Sequence, residues 1–396
     1  MKKYWMLLVG IFIMLQACSA QTSDKQIDGL EMAVKMADSE MKHFPEPWTV
    51  DFNPKPAWNY TQGLIAQSMI RVWKENGNET YFNYAKMYAD KMIDSTGLIS
   101  AYKVSNYNID AVNSGKFLFD LYERTKDERY LKAIQQLRDQ LKTHPRTSEG
   151  GFWHKQRYPH QMWLDGLYMG APFYAQYAQY FNEPELFADV VKQFQLVHKY
   201  TFNPETGLNY HGWDESKEQA WADSITGCSP HYWGRAMGWY AMALVDVLDF
   251  IPQEHPGRVS LLNILNQVAA GIKKFQDPKT GLWYQVLDQG AREGNYLEST
   301  ASSMFTYALL KASRKGYIGN DYNATALEAY SGLLKNFIQK NSDGTISLTK
   351  CCSVAGLGGN PYRDGTFEYY IGEPVRDNDP KGVGPFIMAS LEFSIK

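Results

Sequence analysis

The chain has 396 residues, of which 44% are hydrophobic and 21% are charged, which is the composition of a folded globular protein and not of a disordered one. The formal net charge of -3 provides no field that would attract nucleic acid, so we expect no nucleic-acid partner. Aromatic residues make up 14%, including 11 Trp and 27 Tyr. This content suits either an aromatic helical core or a surface on which the flat faces of a ligand stack.

The first twenty residues have the pattern of an export signal. Two lysines and an apolar run over residues 4–15 precede a Leu-Gln-Ala-Cys tetrapeptide that ends at Cys18. The tetrapeptide resembles a bacterial lipobox, which predicts that a lipid on Cys18 anchors the protein to a membrane. Cleavage after Ala20 is the alternative, and it predicts a soluble periplasmic protein. Both interpretations predict export, and no other apolar stretch has the length of a membrane span.

The other cysteines are Cys228, Cys351 and Cys352. Their odd number and the absence of a CxxC pair predict neither a disulfide framework nor a zinc site. The neighbours Cys351 and Cys352 are either a vicinal disulfide or two small packed thiols in a loop.

Apolar residues recur at helical spacing in twelve segments. The predicted helices cover residues 27–42, 60–75, 80–94, 109–124, 128–142, 163–181, 185–200, 232–250, 258–275, 297–314, 322–339 and 383–393. After every second helix, a glycine is followed by alternating apolar or aromatic residues, as in a short β-hairpin. These signals contain Gly97, Gly151, Gly207, Gly281 and Gly344.

The glycine signals recur at intervals of 54 to 74 residues, and each interval holds two helices and a turn. A repeat of this length predicts an all-α array of helical hairpins. Six hairpins favour a closed (α/α)6 barrel with short β-hairpin loops at one end. An open solenoid is the alternative, but its repeats are shorter and more regular. Because no linker follows the export segment, we predict a single catalytic domain over residues 24–396.

The motifs of common nucleotide, metal and acyl-transfer enzymes are absent from the sequence. The chemistry is therefore expected from carboxylates, imidazoles and tryptophans at helix starts. Asp165 lies in the first turn of a strongly apolar helix, close to Trp163 and Met169. One explanation is a carboxylate favoured by the helix dipole. The other is a poorly hydrated carboxyl that stays protonated and donates its proton near neutral pH.

Asp110 occupies the matching position one hairpin earlier. It is either a plain helix cap or the second carboxylate of a site. In the second case Asp110 and Asp165 meet at one cavity mouth, and the charge of one keeps the other protonated. Their titration would then belong to the pair.

Arg235 begins another helix, between Trp233 and Trp239. A guanidinium keeps its charge and must be paired, so we expect its partner to be either a structural aspartate or the carboxylate of a ligand. The two tryptophans are either core residues or a ligand platform. Gly234 and Gly238 allow a ligand or a neighbouring backbone to come close.

His154 and His211 each follow aromatic residues in the recurring loop. A histidine in such a place usually has a structural role, and hydrogen bonding to sugar hydroxyls is the functional alternative. We expect no metal site here.

Six stretches resemble the unsaturated glucuronyl and rhamnogalacturonyl hydrolases of glycoside hydrolase families 88 and 105, and are most similar to family 105. They are GGFWHK (150–155), MWLDGLYM (162–169), YHGWD (210–214), WGRAMGWY (233–240), YRDGTFEYY (362–370) and DNDPKGVGP (377–385). They span nearly the whole mature chain. One such stretch is weak evidence, but several in order are specific.

The resemblance implies an (α/α)6 barrel, a glycosidase without a cofactor, and a substrate with a C4=C5 double bond. It implies that Asp165 protonates C4, that water adds at C5, and that the sugar linkage breaks after this hydration. The two-carboxylate displacement of ordinary glycosidases does not apply. Asp110 is implied to orient the substrate and to tune Asp165.

The resemblance also implies the substrate-binding residues, with Arg235 placed at the substrate carboxylate. They are Tyr60, His154, Trp163, Met169, His211, Trp233, Arg235 and Trp239. The expected substrate is a terminal 4,5-unsaturated galacturonyl residue of a rhamnogalacturonan oligosaccharide. Unsaturated glucuronyl ends from ulvan or glycosaminoglycans are the alternative, because a single hydroxyl configuration separates the two. A non-catalytic glycan-binding lipoprotein is a third interpretation, and the retention of both aspartates argues against it.

Overall fold

The computed structural model describes residues 28–395. Its α-helices are α1 (Gly29–His43), α2 (Tyr60–Asn76), α3 (Glu79–Met92), α4 (Leu118–Thr125), α5 (Glu128–Thr143), α6 (Leu164–Tyr180), α7 (Leu186–Thr201), α8 (Gly234–Val247), α9 (Arg258–Lys274), α10 (Ser299–Arg314), α11 (Asp321–Asn336), α12 (Phe367–Gly372) and α13 (Pro380–Ser394). None of these helices combines the length and the apolar character required to cross a membrane. The export segment, with Cys18 and Ala20, lies outside the described residues and stays a prediction.

Short strands and 3-10 helices connect the α-helices. The strands are β1 (Gln161–Trp163), β2 (Phe202–Asn203), β3 (Leu208–Asn209), β4 (Gly212–Asp214), β5 (Ile338–Lys340), β6 (Ile346–Leu348), β7 (Cys351–Cys352) and β8 (Val375–Arg376). They form four antiparallel pairs, β1 with β4, β2 with β3, β5 with β6 and β7 with β8. The 3-10 helices are Pro47–Phe52, Val104–Asn106, Ile109–Gly115 and Leu287–Gln289.

The helices form two concentric rings. The inner ring contains α2, the segment 109–125, α6, α8, α10 and α13, each packed against the next, and α13 packs on α2 to close the ring. The outer helices α3, α5, α7, α9, α11 and α1 each pack on one inner member. All residues of α8 are buried, as expected for a helix that is apolar on every side. The predicted closed (α/α)6 barrel is confirmed.

The helix predicted over 109–124 is the one that differs most from the structure. It divides into the 3-10 helix Ile109–Gly115 and α4. Within the 3-10 helix, Asn113 Nδ2 donates to the carbonyl of Tyr60 at 3.1 Å and Ser114 Oγ donates to the carbonyl of Asn59 at 2.6 Å. These long-range bonds tie the segment to the start of α2, so its local geometry follows tertiary contacts and not helical periodicity.

Tight turns follow the outer helices α3, α5, α7, α9 and α11. Each contains a glycine at positive φ, which a residue with a side chain adopts only with strain. These glycines are Gly97, Gly150, Gly207, Gly281 and Gly344. Each turn leads the chain back towards the start of an inner helix, so the inner helix N-termini gather at one end of the barrel.

The thiols of Cys228, Cys351 and Cys352 are buried and unpaired within residues 28–395. Cys351 and Cys352 form strand β7, opposite Arg376 and Val375 of β8. The interpretation of these two cysteines as small packed residues is therefore confirmed, although they lie in a strand and not in a loop.

Candidate active site

A cavity of about 100 Å³ lies among the starts of the inner helices. Its lining residues are Tyr60, Asp110, His154, Lys155, Arg157, Tyr158, Trp163, Asp165, Met169, Ala355 and Arg363. Six of the ten residues predicted from the sequence are therefore brought together. Across residues 28–395, no group of three or more His, Cys, Asp or Glu side chains is arranged to hold a metal ion.

Asp165 is the second residue of α6, and strand pairing places a histidine beside it. Because β1 pairs with β4, the amide of Leu164 donates to the carbonyl of His211 at 3.0 Å. Nε2 of His211 then lies 3.2 Å from Oδ2 of Asp165. The other ring nitrogen of His211 lies 2.8 Å from the hydroxyl of Tyr370, which fixes the ring. Among residues 28–395, His211 is thus the one basic side chain within 4 Å of the Asp165 carboxyl, and Tyr370 holds its ring in place.

Asp110 repeats this arrangement one hairpin earlier. It is the second residue of its 3-10 helix, and the amide of Ile109 donates to the carbonyl of His154 at 3.3 Å. Nε2 of His154 lies 3.5 Å from Oδ1 of Asp110, and Nζ of Lys155 lies 2.5 Å from Oδ2. Both aspartates therefore face a histidine from the next loop, but only Asp110 also has a lysine.

Lys155 keeps the carboxyl of Asp110 ionised. Burial by itself raises the pKa of Asp110, but the charge of Lys155 and the neighbouring His154 outweigh burial and lower it below its usual value. Burial also lowers the pKa of His154 to about 4. Because His154 is neutral near pH 7, Lys155 is the charge that keeps Asp110 ionised.

Four buried atoms of these two pairs have no hydrogen-bond partner within residues 28–395. They are Oδ1 of Asp110, Nδ1 of His154, Oδ2 of Asp165 and Nε2 of His211. The last two are close, but their angle does not make a hydrogen bond. Unpartnered buried polar atoms destabilise a fold, and three of the four belong to residues that line the cavity, which indicates a place for a polar ligand.

Trp163 forms an aromatic wall of the cavity. Its ring stacks on His154 with centroids 4.3 Å apart and on Tyr158 with centroids 4.9 Å apart. Its indole nitrogen donates to Gln161 Oε1 at 3.0 Å. The ring is thus fixed in orientation beside both aspartates, as a rigid surface for a sugar ring.

His211, Trp233, Arg235 and Trp239 do not line the cavity. Trp239 is buried and stacks on Tyr168 with centroids 4.8 Å apart, although its edge faces Tyr60 at 6.3 Å. The structure therefore places Trp239 in the packed layer beneath the cavity and not at its surface.

Arg235 is buried below the cavity, at 1% exposure. Its Nη1 donates to the carbonyl of Cys352 at 2.6 Å, and the guanidinium lies 4.8 Å from the Trp233 ring. Within residues 28–395 it forms no ion pair with a carboxylate, so the structural aspartate considered as its partner is not found, and the expected ligand carboxylate stays a prediction. A Cβ on Gly238 would lie 2.7 Å from Sδ of Met304, so that glycine admits the neighbouring helix α10 and not a ligand.

Sequence reasoning missed four polar or aromatic residues of the cavity, which are Lys155, Arg157, Tyr158 and Arg363. The first three lie within four residues after His154 in the chain, and proximity to that residue was the available signal. Arg363 lies inside the stretch 362–370, which carried the family resemblance without a role for this residue.

The family model described as Glycosyl Hydrolase Family 88 matches residues 32–395. A solved structure of a glycoside hydrolase from family 105 of C. acetobutylicum ATCC 824 superimposes with a TM-score of 0.88 and 46% identity. That comparison covers 92% of this chain and 99% of the other. The chain belongs to glycoside hydrolase family 105, which is related to family 88.

The chain is also similar to two further proteins. Protein Atu3128 of Agrobacterium fabrum is 43% identical over 230 residues, 57% of this chain and 97% of that protein. The unsaturated rhamnogalacturonyl hydrolase YesR of Bacillus subtilis is 27% identical over 264 residues, 65% of this chain and 72% of that protein. The family 105 chain is thus a glycosidase of the unsaturated glycuronyl and rhamnogalacturonyl hydrolase group, as the sequence predicts.

Proposed function

We propose that this enzyme removes a terminal 4,5-unsaturated galacturonyl residue from rhamnogalacturonan oligosaccharides by hydrating the double bond. The observation that carries the proposal is the cavity itself, where Asp165 faces His211 at 3.2 Å beside the ionised Asp110 and the aromatic wall of Trp163. Similarity to the rhamnogalacturonyl hydrolase of B. subtilis supports galacturonyl as the sugar.

Asp165 is the proton donor in the proposed reaction. Its carboxyl proton goes to C4 of the double bond, and water adds at C5 and returns a proton to the carboxylate. The product is a hemiketal at C5. Its bond from C5 to the ring oxygen breaks to give a C5 ketone and a hemiacetal at C1, which expels the aglycone as an alcohol.

The neighbouring groups position the sugar in this proposal. Lys155 keeps Asp110 ionised, so Asp110 can accept hydrogen bonds from sugar hydroxyls. His154 is neutral near pH 7 and can accept or donate. Of the unpartnered atoms, Oδ1 of Asp110 and Oδ2 of Asp165 belong to residues that line the cavity and can gain partners when such a ligand binds.

The test is a time course of ultraviolet absorbance with a lyase-generated unsaturated rhamnogalacturonan disaccharide. We expect the absorbance of the C4=C5 bond to disappear while the free rhamnose-ended product accumulates, and the saturated disaccharide to remain intact. Faster turnover of unsaturated glucuronyl disaccharides from ulvan or glycosaminoglycans would establish the alternative specificity. Calorimetric binding of every disaccharide without turnover would instead indicate a glycan-binding protein and overturn the proposal.

A further inference from the structure

The proposed substrate carries a carboxylate on C5, directly at the reacting double bond. A fixed cation that binds this group would also fix the position of C4 relative to Asp165. Three cations line the cavity, Lys155, Arg157 and Arg363. The contacts that each cation already makes show which of the three is free to bind the substrate carboxylate.

Two of these cations are poorly suited to bind the carboxylate. Lys155 is already paired with Asp110 at 2.5 Å. Arg157 is exposed, with its guanidinium over the Tyr158 ring at 4.9 Å, and within residues 28–395 no side-chain hydrogen bond fixes its orientation. Arg235, the residue expected from the sequence, lies below the cavity against the carbonyl of Cys352.

Arg363 is held by three hydrogen bonds on one side of its guanidinium. Nε donates to the carbonyl of Gly358 at 2.8 Å, and Nη2 donates to the carbonyl of Leu357 at 2.9 Å and to the hydroxyl of Tyr158 at 2.7 Å. The guanidinium also lies 5.9 Å from the ring of Trp163. These contacts fix its orientation before any ligand binds.

The backbone of residues 356–358 packs closely against the guanidinium of Arg363. A Cβ on Gly356 would lie 2.2 Å from Nη1 of Arg363, so a side chain at Gly356 would displace the group. Within residues 28–395, Nη1 makes no hydrogen bond and Arg363 forms no ion pair with a carboxylate. A fixed guanidinium that keeps its charge and has Nη1 as a free donor at a cavity can bind a carboxylate through a charge-assisted hydrogen bond.

We propose that Arg363 binds the carboxylate of the unsaturated uronyl ring and thereby holds the C4=C5 bond against Asp165. This assignment rests on the proposed function. It replaces Arg235 as the carboxylate ligand and makes Arg363 the residue that selects a charged sugar over its neutral analogue.

The test compares the unsaturated uronyl disaccharide with its methyl ester, whose carboxyl carries no charge. We expect the wild-type enzyme to prefer the free acid. Arg363→Met should lower kcat/KM for the acid about 10- to 100-fold and leave the ester nearly unchanged, because only the acid makes a charge-assisted bond. Arg363→Lys should keep part of the preference, since it retains the charge but loses the hydrogen bonds that fix the guanidinium.

Three further variants separate recognition from folding. Tyr158→Phe, which removes one acceptor of Arg363, should reduce the preference for the acid less than Arg363→Met does. Arg124→Met, on an exposed arginine of α4, should leave both substrates unaffected. Arg235→Met should slow turnover of the acid and the ester alike.

If Arg363→Met keeps the wild-type ratio of kcat/KM for acid and ester, or Arg235→Met abolishes this ratio, Arg363 is not the carboxylate ligand. A wild-type enzyme that consumes neither substrate would instead contradict the proposed function.

Discussion

Carboxylates that are buried or half-buried occur at both ends of the barrel, but their partners differ. At the end where the inner helices begin, half-buried Asp165 has a single ionisable partner of opposite charge within 4 Å among residues 28–395, which is His211 at 3.2 Å. At the opposite end, near the C-terminus of α8, Asp246 lies 2.6 Å from Nζ of Lys311 and 3.5 Å from Nη2 of Arg71. Burial by itself raises the pKa of Asp246, but these two cations lower it well below its usual range.

The comparison shows that burial of a carboxylate does not identify the reacting group. Asp246 is fully satisfied by fixed cations and by the hydroxyl of Tyr307 at 2.5 Å, so it serves the fold. Cavity size does not identify the site either, because cavities of about 820 and 670 Å³ lie at the Asp246 end. The distinguishing features of Asp165 are incomplete hydrogen bonding and access to a cavity.

Asp165→Asn tests the reactive end most directly. The amide keeps the shape but has no proton to donate, so we expect turnover of the unsaturated disaccharide to fall about 10²- to 10⁴-fold. The free energy of unfolding should change little, because the side chain is incompletely bonded in the fold. Asp139→Asn, on an exposed aspartate, is the matched control. Turnover by Asp165→Asn at the wild-type rate would contradict the assignment of Asp165 as the proton donor.

Asp246→Asn should have the reverse effect. It leaves Lys311 and Arg71 without their shared counter-charge, so we expect the free energy of unfolding to fall by about 3 to 5 kcal/mol. Urea denaturation measures this loss, and kcat of the folded fraction should stay at the wild-type value. Asp249→Asn, whose side chain is 31% exposed, should cost only about 1 kcal/mol or less. A fall in kcat without unfolding would mean that the two ends are coupled.

The sequence predicted the barrel because its twelve amphipathic segments and recurring turns are local patterns. It also indicated Asp110 and Asp165, since both lie at helix starts in motif-like stretches. It could not predict their pairing with His154 and His211, because backbone bonds between distant loops create those contacts.

The interpretation of Arg235 shows the same limit. It is the second residue of α8, as Asp165 is of α6, and the sequence shows only that both lie at helix starts. Strand β7, which lies far along the chain, covers Arg235 and accepts its hydrogen bond. Arg363 received no role because its loop has no periodicity. Contacts over long sequence separation therefore set which helix starts reach the cavity.

The smallest effect on stability is expected at Lys116. It is a cation at the Asp246 end whose amine has no hydrogen-bond partner among residues 28–395. It is 5% exposed, and Nζ lies 3.7 Å from the centre of the Tyr168 ring. Burial lowers its pKa to about 7, helped by Arg71 and Lys311 and opposed by Asp246.

Between pH 7 and 10.5 the unfolded chain therefore keeps a proton on Lys116 that the folded chain has lost, and this group makes the free energy of unfolding rise with pH. The slope is at most about 1.4 kcal/mol per pH unit.

Urea denaturation of Lys116→Met across this pH range measures the effect. We expect the variant to be more stable than wild type below pH 7, and the difference to shrink as the pH approaches 10.5. Lys142→Met, on an exposed lysine, should give a difference that does not depend on pH. Parallel curves for wild type and Lys116→Met would mean that a bound partner compensates the amine, and the Asp246 end would then have to be regarded as a second ligand site.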